Sequence, residues 1–358
     1  MAGLIDPDFT RLPEPASSLL LAAAERSFFN HPCWYDALAR SIVEPGGRTR
    51  LYVADGTGVS IGLVAAMPRA GTRRLRSLTN YYSCEHALLF GDLPGDPTAA
   101  IGELVGQIAA ERPRWNAIAI STLDPRDSCY VILADAMRAA GYDVETYFEF
   151  GTWYENTAGL SFADYIAQRP SAMLATWRRK MRKGEESGGL GFRLYNDLVD
   201  VESGIASYET VYRASWKQAE PYPRFIPDLV RASAMLGALR LGILHLGDKP
   251  VAAQIWILWR GRATVFKLAH DQRHDDLSPG TLLSMRMMEQ VLEIDRPSEI
   301  SFGRGDDAYK KLWASKRRER WGLVAADPRT MRGLALAAGQ KARRLLRPSR
   351  QPAPPPKV

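Results

Sequence analysis

The stretch that most constrains this chain runs from Arg262 to Trp313. A strand, a polar loop, a helix, a second strand and a Gly/Asp turn follow one another there in close order. The β-branched and aromatic residues of Ala263-Thr264-Val265-Phe266 predict the first strand. Leu283, Met287, Val291 and Ile294 recur at helical spacing and predict the helix. Pro279 suits the first turn of that helix, and Gly280 and Thr281 leave its amides uncovered by bulky side chains. Free amides with the helix dipole behind them can hold a pyrophosphate, so Leu277, Ser278, Pro279, Gly280, Thr281 and Leu282 form a candidate cradle. The next strand then brings Asp306 to Lys310 towards the same end of the sheet, with Tyr309-Lys310 opening a further helix.

The first half of the chain shows the same order of elements. After an irregular lead-in to about Ser27, the segments Leu51–Ala54 and Val59–Met67 flank Asp55-Gly56-Thr57-Gly58 and read as a hairpin. Leu239–Leu246 and Val251–Trp259 flank Gly247-Asp248-Lys249-Pro250 in the same way. GDKPVAAQIWIL echoes GTGVSIGLVAAM, and DRPSEISFG echoes ERPRWNAIAIS. The chain therefore reads as two copies of one α/β (α+β) unit, residues 1–155 and 156–335, each a mixed sheet flanked by helices. The first copy has Asp96 at the mouth of its helix, where the second has Ser278. An acid there opposes phosphate, so the cofactor is expected in the second copy only. Ser161–Gly237, between the copies, reads as mainly helical, with Pro221, Pro223 and Pro227 marking a loop that can cover the site.

Charge bears on the choice of partner. Of a net charge of +7, Lys341, Arg343, Arg344, Arg347, Arg350 and Lys357 near the C-terminus supply six, which leaves the folded body near neutral. Residues 336–358 read as a basic, Pro-rich, disordered tail and not as a nucleic-acid-binding domain. Cys33, Cys84 and Cys129 are far apart and lack metal-ligand spacing, so no metal is expected and a reducing compartment fits. No secretory signal or membrane span is legible, and the expected location is cytoplasmic. The HExxH and Walker patterns are missing, which leaves metalloprotease and P-loop chemistry without support. Gly303-Arg304-Gly305-Asp306-Asp307-Ala308 fits a dinucleotide fingerprint, but its two acids would face the pyrophosphate.

An ordered series of motifs carries a resemblance over roughly residues 155–330. It comprises Trp177-Arg178-Arg179-Lys180, Ser215-Trp216-Lys217, Gly247–Ala252 and Ala269-His270-Asp271, then Ser278–Leu283 and Phe302–Lys310. The C-terminal copy resembles the FemAB-like branch of the GNAT acyltransferases, near the BioF2-like and cellulose-biosynthesis CelD-like acetyltransferase domains. This implies tandem GNAT-like folds in a two-lobed architecture and transfer of an acyl group from acetyl- or another acyl-coenzyme A. The acceptor implied is a small molecule, sugar or polysaccharide precursor. The sequence differs from the common GNAT loop, having Asp275-Asp276-Leu277 where a Gln or Arg and an earlier Gly are usual.

Candidate roles follow. One of Asp306 and Asp307 is expected to cap a helix and the other to face the acceptor and take its proton. By resemblance, Lys310 stabilises an oxyanion and Tyr309 protonates the leaving thiolate, with a surface lysine and a packed tyrosine as the plain alternatives. His270 ends the central strand near the cradle and lines the site or serves structure. Arg178, Arg179 and Lys217 are expected to bind substrate, the two arginines otherwise being a solvated helix face. Trp216 is expected in the core. Two other functions stay open: a Fem-type aminoacyltransferase using aminoacyl-tRNA, with phosphate contacts from the basic helix and tail, and a coenzyme A-binding module without chemistry.

Overall fold

The computed structural model describes residues 4–56, 59–91, 95–186 and 189–346. Thr57 and Gly58 of the first expected hairpin turn lie outside the described residues. The strands are β1 Leu4–Ile5, β2 Arg48–Gly56, β3 Val59–Met67, β4 Arg74–Ser77, β5 Leu89–Phe90, β6 Ala117–Leu123 and β7 Asp143–Asn156. They continue with β8 Leu190–Tyr195, β9 Leu239–Leu246, β10 Lys249–Trp259, β11 Arg262–His270, β12 Glu299–Ser301 and β13 Lys316–Ala326. The α-helices are α1 Ala16–Arg26, α2 Pro32–Ile42, α3 Pro97–Ala110, α4 Ser128–Ala139 and α5 Phe162–Ala167. After them come α6 Ser171–Glu186, α7 Val201–Arg213, α8 Phe225–Met235, α9 Pro279–Gln290 and α10 Met331–Leu346.

The chain divides into a unit of residues 1–151 and 319–358 and a unit of residues 152–318. In the first, β2 and β3 form an antiparallel hairpin, β4 adds antiparallel to β3, and β6 adds parallel to β4. β13 closes the row antiparallel to β6, pairing Trp321 with Leu123 and Ala326 with Ala117. Helices α3 and α4 cover this sheet, packing Ile101, Leu104, Leu133 and Met137 on Tyr52, Leu63, Ile118, Trp321 and Leu323. Each such large apolar side chain contributes about 1.5–3 kcal/mol when fully buried.

The second unit repeats the order. β9 and β10 form the hairpin, β11 adds antiparallel to β10, and β12 adds parallel to β11. The end of β7 closes it antiparallel to β12, and β8 adds to the outer side of β9. Its core joins Met173 of α6 and Leu282, Leu283, Met287 and Val291 of the α9 region to Trp256, Val265 and Ile300. These are tandem mixed sheets flanked by helices, as the sequence implied. Each copy takes its closing strand from the other half of the sequence, which is why the observed divisions differ from 155/156 and 335.

Several local expectations are corrected. The lead-in contains α1, whose Leu19, Leu20, Ala23 and Ala24 are buried behind a proline-rich start that hides the helix in the sequence. The Ser161–Gly237 stretch contains β8, an edge strand whose alternating exposure leaves little apolar signal. Pro227 sits in the first turn of α8, where a missing N–H costs nothing. Ile294 is 69% exposed in a π-turn after α9, so the helical stripe ends at Val291. Tyr309-Lys310 lie in a short 3₁₀ turn, Ala308–Leu312, instead of opening an α-helix. Residues 336–346 continue α10, and 347–358 lie outside the described residues. Among the described residues no helix is long and apolar enough to cross a membrane.

Candidate active site

The site forms where two parallel strands separate. β11 and β12 pair only at Arg262/Glu299, Ala263/Ile300 and Thr264/Ser301. Beyond that point Phe266 is an extra residue in β11, because Ile255 pairs with Lys267 while Trp256 pairs with Val265. Such a bulge bends and twists its strand. β11 runs on to His270, while Phe302 stays beside β7, its N–H donating to Trp153 O at 2.8 Å. The opening therefore has Lys267 and His270 on one side and the Gly303–Lys310 turn on the other.

The N-terminus of α9 lies at this opening. Ser278 takes a left-handed conformation (φ 52°) and makes no side-chain cap. Pro279 has no N–H, and the N–H groups of Thr281 and Leu282 both donate to Ser278 O, at 3.0 and 3.2 Å. Gly280 N–H is thus the amide left for a ligand, fewer than the sequence suggested. Leu277 and Leu282 are buried and hold the turn in the core. Gln254 of β10, 1% exposed, donates to Gly280 O at 3.2 Å and Ser284 Oγ at 2.6 Å, and accepts from Trp256 Nε1. The first turn of α9 is therefore tied to the central hairpin. A Cβ on Gly280 would lie 3.1 Å from His270 Nδ1, a buried ring atom without a hydrogen-bond partner.

His270 Nε2 is 2.9 Å from Asp275 Oδ1, so the carboxylate orients the ring. With Asp275 accepting, a hydrogen sits on Nε2. Asp276, the second acid before the helix, pairs with Lys183 of α6 at 2.6 Å, and Lys180 donates to Asp276 O. Both acids near the α9 mouth thus have partners. In the N-terminal copy Asp96 occupies the mouth of α3, where its own side chain accepts from Thr98 N at 2.9 Å. That carboxylate fills the place an anion would need.

The Gly303–Lys310 turn is held from within. Gly305 has φ 104°, and a Cβ there would lie 3.1 Å from Asp307 Oδ2 and 3.4 Å from Lys310 Nζ. Lys310, 4% exposed, donates to Arg304 O at 2.7 Å and Gly305 O at 3.1 Å and pairs with Asp307 at 3.1 Å. Its three donors are all engaged on the turn itself. Asp306 accepts from Trp153 Nε1 at 2.6 Å and from Arg317 Nε and Nη2 at 3.0 and 2.7 Å. Its pKa is lowered chiefly by the Arg317 hydrogen bonds, against a smaller desolvation effect, with Trp153 adding to the lowering. Neither acid caps by its side chain: Asp307 stands at the N-cap position without such a bond. Tyr309 is 42% exposed, and its phenol is raised by burial of its hydroxyl and by Asp307.

Lys217 follows α7 and lies 5.9 Å from the Tyr212 ring and 5.7 Å from the Trp216 ring. Trp216, expected in the core, is instead 49% exposed and stacks at 4.6 Å on His270. Desolvation pushes Lys217 down to about 8, with Lys267 and then Lys310 adding repulsion and Asp307 opposing it. Lys267 itself pairs with Glu220 at 2.6 Å and lies 5.4 Å from Tyr212. Arg178 and Arg179 are exposed on α6, away from the face carrying Met173, Trp177 and Met181.

His270, Lys217, Lys310, Asp306, Tyr309 and the α9 mouth all lie in the second unit. Lys217 is electrostatically coupled to the Asp307–Lys310 turn, and His270 joins Gly280 to Trp216. Gln254, Trp153, Arg317, Tyr212 and Lys267 went unread in the sequence. Lys267 offered one signal, as a cation in the largely apolar interior of its strand, Ala263–Ala269.

In the second unit a bulged, splayed parallel pair thus carries a helix N-terminus at its mouth. Residues 171–311 match the model of the acetyltransferase (GNAT) domain. Solved structures agree in fold. FemX is 9% identical with a TM-score of 0.59, covering 87% of this chain and 96% of its own. A tandem GNAT protein from the clavulanic acid biosynthesis pathway is 11% identical with a TM-score of 0.51, covering 88% and 96%. The C-terminal domain (DUF2156) of a candidate lysylphosphatidylglycerol synthetase from Agrobacterium fabrum is 14% identical with a TM-score of 0.52, covering 92% and 97%. A search of curated protein sequences finds no match.

Proposed function

We propose that the second unit transfers an acyl group from an acyl-coenzyme A directly to an amine or hydroxyl of a small-molecule or glycan-precursor acceptor. The observation that carries this reading is the α9 mouth. It offers the Gly280 amide at a helix N-terminus, on a residue without a β-carbon beside the His270 ring, with both nearby acids already paired. The bare Gly280 and the orphaned His270 Nδ1 fit a ligand lying across that mouth. The Gly280 N–H and the Ser278 and Thr281 hydroxyls would hold the coenzyme's pyrophosphate, and Leu277, Pro279 and Leu282 would shape the turn beneath it. The thioester supplies an acyl group already activated for attack, so no covalent enzyme intermediate is required.

The protein's own groups then divide the work. His270, oriented by Asp275, is assigned the acceptor's proton, which a neutral ring would take at Nδ1. Asp306 is a poor base, because Trp153 and Arg317 hold it ionised; it positions the turn. Lys310 fixes the same turn through Arg304 O and Gly305 O. Tyr309 stays protonated across the working pH range and is a standing donor for the departing thiolate.

A second reading, aminoacyl transfer from aminoacyl-tRNA, is favoured by one observation. Arg178, Arg179 and Arg182 are exposed on α6 with no ion-pair partner among the described residues. A thermal-shift titration with acetyl-coenzyme A, longer acyl-coenzyme A esters and uncharged tRNA separates the two. Stabilisation by the thioesters that Gly280→Asp abolishes is the expected result. Stabilisation by tRNA alone would replace the acyl-coenzyme A reading with the second.

A further inference from the structure

The second unit contains a cation that its own residues leave unanswered. Around the opening, Lys267 is matched by Glu220 at 2.6 Å and Lys310 by Asp307 at 3.1 Å. Lys217, between them in electrostatic terms, has no ion-pair partner among the described residues. It is partly buried, and what faces it are the rings of Tyr212 and Trp216 at 5.9 and 5.7 Å. Aromatic faces stabilise an ammonium only modestly, and two like charges nearby oppose it. One excess positive charge in a desolvated place favours one negative charge from outside.

The location narrows the ligand. Trp216 stacks on His270, whose Nδ1 faces Gly280 at the α9 mouth. Lys217 thus lies one side chain beyond the group assigned to take the acceptor's proton. We propose that Lys217, seated on Tyr212 and Trp216, recognises a carboxylate or phosphate on the acceptor, so that the acceptor is an anionic amine or hydroxyl compound. This rests on the acyltransferase reading of the same opening. Tyr212 also carries Lys267, but of the two only Lys217 lacks a carboxylate of its own among the described residues.

The consequence is a proton linkage that a structural lysine would lack. Lys217 is pushed down to about 8 by desolvation first, then by Lys267 and Lys310, with Asp307 opposing. A bound anion favours the charged form, so binding takes up a proton and weakens as pH rises through about 8.

The test measures the reactivity of Lys217 in the full chain towards acetic anhydride, by peptide mass spectrometry across pH 6–10. Runs are made with no addition, with inorganic phosphate, with acetate and with coenzyme A. The expected result is protection of Lys217 by phosphate or acetate, with its labelling midpoint moved upward. Lys217→Met should weaken phosphate or acetate binding about tenfold while leaving the thermal shift by coenzyme A unchanged, and Lys217→Arg should retain the anion. A midpoint unmoved by either anion overturns the proposal. So does a midpoint moved by coenzyme A alone, which would assign this cation to the donor. Loss of the coenzyme A thermal shift in the wild-type chain would instead sink the acyl-coenzyme A reading, so the two failures are distinguishable.

Discussion

Trp153 holds Asp306 in place: its indole N–H donates to Oδ1 at 2.6 Å, while Arg317 engages Oδ2 from the opposite side. The carboxylate is thereby committed to the ionised state and to one orientation. Asp306→Asn should cost at most about 1 kcal/mol at neutral pH, because the side chain is 41% exposed. Its pKa is lowered on folding, so this contribution is present above the ordinary value of 3.8 and lost as pH falls through the lower folded value. Urea unfolding of both proteins should give curves that converge in strong acid. A difference that persists there contradicts the assignment.

Gly280 and His270 should behave as a coupled pair. Gly280→Ala brings a Cβ to 3.1 Å from Nδ1, closer than the packing admits without movement. Acetyl-coenzyme A binding, measured by calorimetry, should weaken about tenfold. Adding His270→Ala to the same chain should recover most of it, since the obstacle is gone. Additive losses would place the effect elsewhere.

Lys310 is buried and fully engaged, so Lys310→Met leaves Arg304 O, Gly305 O and Asp307 without their donor. A destabilisation of about 2–4 kcal/mol is expected in urea melts. Unchanged stability with turnover alone abolished would make Lys310 an oxyanion donor instead of a clamp.

Lys217 is costly to charge in the folded chain, and the sign of its pH effect follows. Its folded value is about 8 against an ordinary 10.5, so the cost is complete below about 8 and gone above 10.5. Lys217→Met should therefore stabilise the protein at pH 7 by roughly 1–2 kcal/mol, allowing for solvent screening. The gain should vanish by pH 10.5 in a denaturation series. A gain independent of pH would refute the linkage.

Glu155 and Arg169 form a buried pair at 3.0 Å, and Ser315 donates to both Glu155 oxygens. Glu155→Gln leaves Arg169 charged and unpaired, with an expected loss of about 3–5 kcal/mol. A urea midpoint within error of wild type would show that water reaches the pair.

Periodic and chemically distinctive segments were legible in the sequence. The α9 helix, both hairpins and the repeated order of elements followed from spacing and turn residues, and the Ser278–Leu282 turn from its Pro and Gly. What escaped depends on partners distant in sequence. That Asp306 is held charged requires Trp153 and Arg317, one from β7 and one from β13. Trp216 looked like core because tryptophan usually is, yet only the fold brings it onto His270 at the surface. Lys310 was read for its charge, while its burial depends on how the Gly303–Gly305 turn curls around it. Gln254 resembles any polar residue within a strand until the first turn of α9 is docked on it.

The exchange of closing strands sets the order in which this chain can mature on the ribosome. The first unit's core includes Trp321, Leu323 and Ala325, which emerge only after all of residues 152–318 have been made. Until then β6 presents an unpaired edge, the kind of surface that invites association between nascent chains. Residues 152–318, by contrast, are contiguous and can fold first. Synthesis therefore finishes the second unit before the first. A fragment ending before β13 should be a client for chaperones and not a free-standing domain.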